Sequence, residues 1–281
     1  MAGRHGKGTL MDASAWAALR ADLAAESRDA DGMLAGLEAA DWERETPAEG
    51  WAVRDQVSHL AWVDDAAVTA LTDPERFRAE AAAMLAAHGE GRDPADRVAR
   101  RLRRRTAAEL LAWFRASRAR LLDTFSQADP ATRAPWYGPS MSAASSATAR
   151  LMETWAHGQD IADALGVERA ATARLRHIAH LGVRTRGFAY MNRGLAAPSE
   201  PVRVVLTAPD GGTWAWGPDD AADRVTGPAL DFCLAVTQRR NLADTALTLT
   251  GPAATEWMGI AQAFAGPPGP GRPRSSQARG S

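Results

Sequence analysis

Glu153, His157 and Asp160 are residues whose types and spacing could do chemistry. They lie in the stretch from Ala149 to Gly166. Leu151, Trp155, Ile161 and Leu165 recur there at roughly helical spacing, and Gly166 stands where a left-handed C-cap residue belongs. On such a helix Glu153 and His157 sit one turn apart on the same face, and Asp160 follows three residues later on that stripe. A carboxylate and an imidazole stacked in this way can both reach one metal ion, supplying two of the three protein ligands of a catalytic zinc site. The same stripe also fits an ordinary solvated helix face. Leu151 and Trp155 point away from Glu153, so amphipathicity alone turns the Glu-His-Asp stripe outward. A metal site requires this helix to be buried on both sides.

Composition narrows the function classes. The chain has 281 residues, 46% of them hydrophobic, which is enough for two domains with substantial cores. A net charge of −1 gives no global pull toward nucleic acid or an anionic membrane. No apolar run is long enough to span a bilayer. Met1 to Leu10 is Gly-rich and basic but lacks the apolar core of a secretory signal, so residues 1–11 read as a disordered tail and the chain as cytoplasmic. The single cysteine, Cys233, excludes an internal disulfide. Among Leu230, Phe232 and Leu234 it reads as a small buried hydrophobe rather than a nucleophile.

The elements that must position the candidate residues are mostly helical. Asp12 to Ala40 reads as a helix that Ser14 can cap. A loop from Asp41 to Trp51, punctuated by Pro47 and Gly50, leads into a second helix from about Val53 to Leu71, with His59 on the flank of its apolar face and Asp55 one turn before it. Glu75 to Ala87 is Ala-rich and helical, ending at His88-Gly89, with a loop from Gly91 to Asp93. Pro94 opens a long Arg-rich helix, interrupted near Thr106 and continuing to Phe125. Asp129 to Ser140 is a rigid loop carrying Trp136 and Tyr137. Thr172 to Asn192 reads as one helix holding His177 and His180, which fit ordinary surface or packing histidines. The pattern changes at Pro198. Val202 to Thr207 and Thr213 to Trp216 read as strands joined by the turn signal Asp210-Gly-Gly212. A short helix from Gly227 to Val236, a strand from Thr245 to Thr250 and a last helix from Pro252 to Phe264 complete a small α+β unit. The expected domains are thus 12–197 and 198–266, followed by a disordered tail over 267–281.

Three stretches resemble one family. Gly50-Trp-Ala-Val-Arg-Asp-Gln-Val-Ser-His-Leu60 resembles the second-helix motif of the DinB-like metal-binding bundle, closest to its mycothiol-dependent maleylpyruvate isomerase branch. Leu151-Met-Glu-Thr-Trp-Ala-His-Gly-Gln-Asp160 resembles the second metal motif of that branch. Phe232-Cys-Leu-Ala-Val-Thr-Gln-Arg-Arg240, with Trp257 and Ala263-Phe-Ala-Gly-Pro-Pro-Gly269, resembles the C-terminal domain of an actinobacterial subgroup. The implied fold is mostly α, a DinB-like four-helix bundle with a smaller C-terminal α+β domain.

The resemblance also implies a site. A divalent metal, usually zinc, would be held by His59, Glu153 and His157, projecting inward from facing helices. Asp55 and Asp160 could each orient an imidazole, or be plain helix-surface acids. Mycothiol would be the co-substrate, and its metal-bound thiolate would attack an electrophilic small molecule, in an isomerase or an S-transferase. Arg239 and Arg240 are the nearest candidates for a C-terminal-domain arginine that assists substrate carboxylates, with Asp160 the third catalytic candidate. Trp62, Trp136, Tyr137 and Trp155 could line an apolar pocket or pack in cores. Two other readings fit the same residues: a thiol-independent Lewis-acid enzyme of specialised metabolism, and a metal- or thiol-binding stress protein without turnover. The expected partners are small molecules, with neither nucleic acid nor membrane, and the chain is a monomer or homodimer.

Overall fold

The computed structural model describes residues 11–86 and 94–275. The loop expected from Gly91 to Asp93, the helix end at His88-Gly89, residues 1–10 and residues 276–281 lie outside them. The chain divides into two compact units, the first ending at Arg150 and the second starting at Leu151.

The first unit is helical. Its elements are α1 (Ala13–Leu34), α2 (Ala39–Trp42), α3 (Val53–Thr72), α4 (Pro74–Ala86), α5 (Pro94–Leu102) and α6 (Ala107–Gln127), then the short strand pair β1 (Arg133–Ala134) and β2 (Met141–Ser142) and the start of α7 (Ala143–Leu165). The first helix is shorter than expected and is capped by Asp12, whose carboxylate accepts the Ala15 N–H at 2.7 Å, rather than by Ser14. It stops before Gly36, which adopts φ +91°. Thr106 interrupts the Arg-rich helix because it opens the next one. It forms a reciprocal capping box with Glu109, accepting from the Glu109 N–H at 3.2 Å while its own N–H donates to the Glu109 carboxylate at 2.7 Å.

α6 packs against both α3 and α1 over Leu19, Leu23, Leu60, Leu110, Phe114, Leu121 and Phe125, all of them buried. An ion pair lies within this apolar interior. Arg118 donates to both oxygens of Asp64, at 2.6 and 3.2 Å, and its remaining nitrogen donates to Ser27 Oγ at 2.6 Å. Burial pushes the Asp64 carboxyl above its ordinary range, and the Arg118 guanidinium opposes that shift.

The second unit continues α7 and adds α8 (Leu175–Arg184) and α9 (Arg186–Met191). These are followed by β3 (Val202–Thr207), β4 (Thr213–Trp216), β5 (Asp223–Pro228), α10 (Ala229–Val236), β6 (Thr248–Thr250) and α11 (Pro252–Ile260). The strands form one sheet in the order β4-β3-β5-β6. β3 and β4 make the expected antiparallel hairpin, closed by Ala208 N–H to the Gly212 carbonyl at 2.8 Å. β5 pairs parallel with β3, placing Val204 beside Val225. This strand was not expected, because Asp-Arg-Val-Thr-Gly-Pro has little alternation and ends on two strand breakers.

Helices α8 and α9 stand where one helix was expected, divided at Thr185. They pack on α10 and α11 respectively, so they join the sheet-bearing unit although the sequence pattern changes only at Pro198. The α8–α10 contact is close: a Cβ at Gly182 would lie 2.8 Å from Val236 Cγ2. Among the described residues no helix is long and apolar enough to cross a membrane.

Breaking the Asp64–Arg118 pair from either side strands a buried charge. Asp64→Ala is expected to lower the unfolding free energy by about 3–5 kcal/mol, read from urea denaturation. The double variant Asp64→Ala/Arg118→Met should recover much of that loss.

Candidate functional site

On the first unit the candidate residue is His59 of α3. The start of this helix is built by Asp55, which accepts the Ala52 N–H at 2.9 Å and receives a forked contact from Arg103, at 3.0 and 2.7 Å. The Asp55 hydrogen bond raises the Arg103 pKa. Both Asp55 oxygens are therefore engaged at the helix N-terminus, which answers the open question of its role: it fixes the entry of α3, and its contacts are not with the His59 imidazole. His59 is half-buried between two indoles. Trp51 meets it edge to face at 5.4 Å between ring centroids, and Trp62 lies 6.0 Å away. Trp51 is itself fixed, its indole N–H donating to Asp96 at 2.7 Å.

On the second unit the candidates ride on α7. Gly166 ends this helix at φ +67°, as its position required. Leu151 and Trp155 are buried, and so are Thr154 and Asp160, while Glu153 and His157 are half-buried. The helix is thus covered on both sides, and the polar stripe does not turn to solvent as amphipathicity alone suggested. Glu153 Oε2 lies 3.1 Å from His157 Nε2. Asp160 Oδ2 lies 4.0 Å from His157 Nδ1, beyond hydrogen-bonding distance.

The Asp160 oxygens are occupied by cations instead. Arg239 donates to Oδ2 at 2.8 Å, and Arg272 donates to Oδ1. Arg239 reaches it because α10 ends at Val236 and Gln238 adopts φ +57°, the left-handed region, which turns the chain back so that Arg239 N–H meets the Leu234 carbonyl at 2.8 Å. Its neighbour Arg240 diverges. It is exposed and borders a separate open cavity of about 240 Å³ with Trp155, Gln159 and Arg169. Only Arg239 of the two expected arginines is brought to the α7 stripe.

Arg272 was missed, because residues 267–281 read as a disordered tail. The described part of that stretch is pinned down: Asn241 donates to the Arg272 carbonyl at 2.7 Å, Ser275 N–H donates to Asp244 at 2.8 Å, and Arg193 donates to the Gly269 carbonyl at 3.1 Å. Pro and Gly deny the segment regular structure without denying it partners. Burial lowers the Arg272 pKa, and Asp160 acts against that shift. The other sequence candidates stay outside this arrangement. Cys233 is fully buried, burial pushes its thiol far up, and it contacts the Leu175 carbonyl. His180 accepts a hydrogen bond from the Trp216 indole at 3.2 Å, with its pKa lowered by burial.

Of the three ligands that the sequence motifs imply, Glu153 and His157 meet on α7 of the second unit and His59 stands on α3 of the first, each half-buried.

Residues 23–162 match the mycothiol maleylpyruvate isomerase N-terminal domain family. The chain belongs to this family. Residues 198–250 match a second family, described as wyosine base formation. Uncharacterized proteins from two strains of Mycobacterium tuberculosis are 52% identical to this family member over 252 residues, covering 90% of this chain and 97% of theirs. Two crystal structures share the fold: the mycothiol-dependent maleylpyruvate isomerase, with a TM-score of 0.56 and 14% identity, and its histidine-to-alanine mutant, with 0.58 and 13%. Each covers 85% of this chain and 95% of its own. The fold is therefore the DinB-like helical bundle with a smaller α+β part, as the sequence motifs implied.

Asp160 is buried and neutralises a pair of half-buried guanidinium groups. Asp160→Ala removes the carboxylate they share and is expected to cost about 2–3 kcal/mol in a denaturation experiment, whereas Arg240→Ala, at an exposed position, should stay within about 0.5 kcal/mol of wild type.

Proposed function

We propose that His59, Glu153 and His157 hold one divalent metal ion, with zinc the first candidate, and that the chain is a metal-dependent S-transferase or isomerase. In this reading it activates mycothiol, or a closely similar low-molecular-weight thiol, against an electrophilic small molecule. The observation that carries the proposal is the Glu153–His157 pair, an oxygen and a nitrogen 3.1 Å apart at half-buried positions of one helix, and the half-buried imidazole of His59 is the third donor proposed. That donor set suits a first-row divalent ion, and three protein ligands leave coordination open, as catalytic rather than structural sites do. An ion held there would supply a Lewis-acid position at which a thiol ionises near neutral pH.

The chain's own residues supply the rest. Glu153 and His157 already direct an oxygen and a nitrogen to one point, 3.1 Å apart, on a rigid helix, so taking up an ion exchanges one polar contact for others with little backbone change. His59 comes from a helix whose N-terminus is locked by Asp55 and Arg103. Arg239, held by Asp160 and the Thr237 carbonyl, is the cation proposed to meet an anionic group of the substrate. Family membership supports the thiol, since the solved relatives are named as mycothiol-dependent isomerases.

Elemental analysis of wild type and His157→Ala, both purified without a His-tag, tests the centre. Wild type is expected to carry about one metal ion per chain and the variant to lose it. Consumption of maleylpyruvate and related electrophiles is then expected to need both metal and mycothiol. Wild type that binds no metal even after reconstitution would refute the proposal. Metal-dependent turnover indifferent to thiol would transfer the assignment to Lewis-acid chemistry without a thiol.

A further inference from the structure

The second unit holds a cavity that the proposed metal ligands do not line. We infer that this cavity, on the face of α7 turned away from Glu153 and His157, is a binding site for a small acid, one anionic group on a compact apolar body. The inference goes beyond the proposed metal centre and does not depend on it.

The cavity measures about 240 Å³ and is open on one side, which suits a molecule smaller than a drug-sized ligand. One wall is α7. Trp155, Gln159 and Asp163 follow one another there at four-residue spacing and form one stripe. Glu153 and His157 each stand two residues from Trp155, roughly 200° around the helix axis, so the two stripes point different ways. A second wall is α10, through Leu230 and Leu234. The third is the chain that leaves α7.

That third wall holds an apolar side chain open. Gly166 turns the chain, and the Val167 N–H closes the helix end on the Ala162 carbonyl at 2.9 Å. The residue after the glycine of such a turn commonly packs back on its helix. Val167 instead is 46% exposed and borders the cavity. Arg169 follows and is tied down, its guanidinium donating to the Trp155 carbonyl at 2.8 Å and lying 5.9 Å from the centre of the Trp155 ring. Gly158 leaves room for it, since a Cβ there would stand 3.4 Å from an Arg169 nitrogen. Three segments thus fix the shape of the cavity and give it leucine, valine and indole surface.

Arg240 selects the charge. The turn at Gln238 parts it from Arg239, and among the described residues its side chain makes no hydrogen bond or ion pair. A guanidinium fork at a cavity mouth suits a carboxylate, which it can meet through two parallel N–H···O contacts. The half-buried Arg169 adds positive charge. The acids of the cavity, Asp163 and Glu168, are exposed, so solvent screens them more, and Asp163 already accepts from the Gln159 amide at 2.8 Å.

Phenylacetate and phenylacetamide share a shape and differ in charge. In calorimetric titrations of the wild-type protein the acid is expected to bind about tenfold tighter than the amide, and Arg240→Ala to erase the difference. Ala170→Trp, at an exposed position on the cavity rim, should weaken both about tenfold by filling the space. His157→Ala should bind both as wild type does, whether or not wild type carries a metal. Failure of the acid to bind, or equal binding of acid and amide, would overturn the inference. Binding untouched by both Arg240→Ala and Ala170→Trp would overturn it too, and so would binding lost in His157→Ala, which places the acid at the metal stripe instead.

Discussion

An ionised carboxylate taken out of water must be met by a cation at hydrogen-bonding distance, and both units are assembled around that requirement. In the first, Asp64 is met by Arg118, 54 residues away, and Asp55 by Arg103, 48 residues away. In the second, Asp160 is met by Arg239 and by Arg272, 79 and 112 residues distant. Each pair joins segments that hydrophobic periodicity alone would leave free to slide. A hydrophobic contact tolerates small shifts, whereas a forked guanidinium–carboxylate contact has one geometry. The apolar interior supplies the driving force and these pairs supply register.

The same requirement explains why the α7 stripe can lie inward. A helix with Glu153, His157 and Asp160 along one face would normally present them to water. Here Asp160 is covered because two guanidinium groups satisfy it, and Glu153 and His157 meet each other one turn earlier. Satisfying the deepest acid in this way lets the two residues before it remain half-covered and directed at a common point. The cost of burying charge is thus concentrated at Asp160, where cations offset it, and the candidate ligands are left to do chemistry.

Much of this was legible in the residues themselves. Gly166 ends α7 because only a residue without Cβ enters the left-handed region freely, and Thr106 with Glu109 marks a helix start, since capping is local chemistry. The Asp210-Gly-Gly212 turn and the helical spacing of Glu153 and His157 were readable for the same reason: each depends on neighbours within a few positions. What lay beyond reach depended on distant partners. Strand β5 exists because β3 pairs with it. The apparent tail is ordered because Asn241, Asp244 and Asp160 receive it, and Arg239 parts from Arg240 because one backbone turn at Gln238 sends them different ways. Whether the α7 stripe faced water or the interior was likewise a tertiary decision. Spacing along a helix sets which residues share a face, and only the cations that meet Asp160 set where that face points.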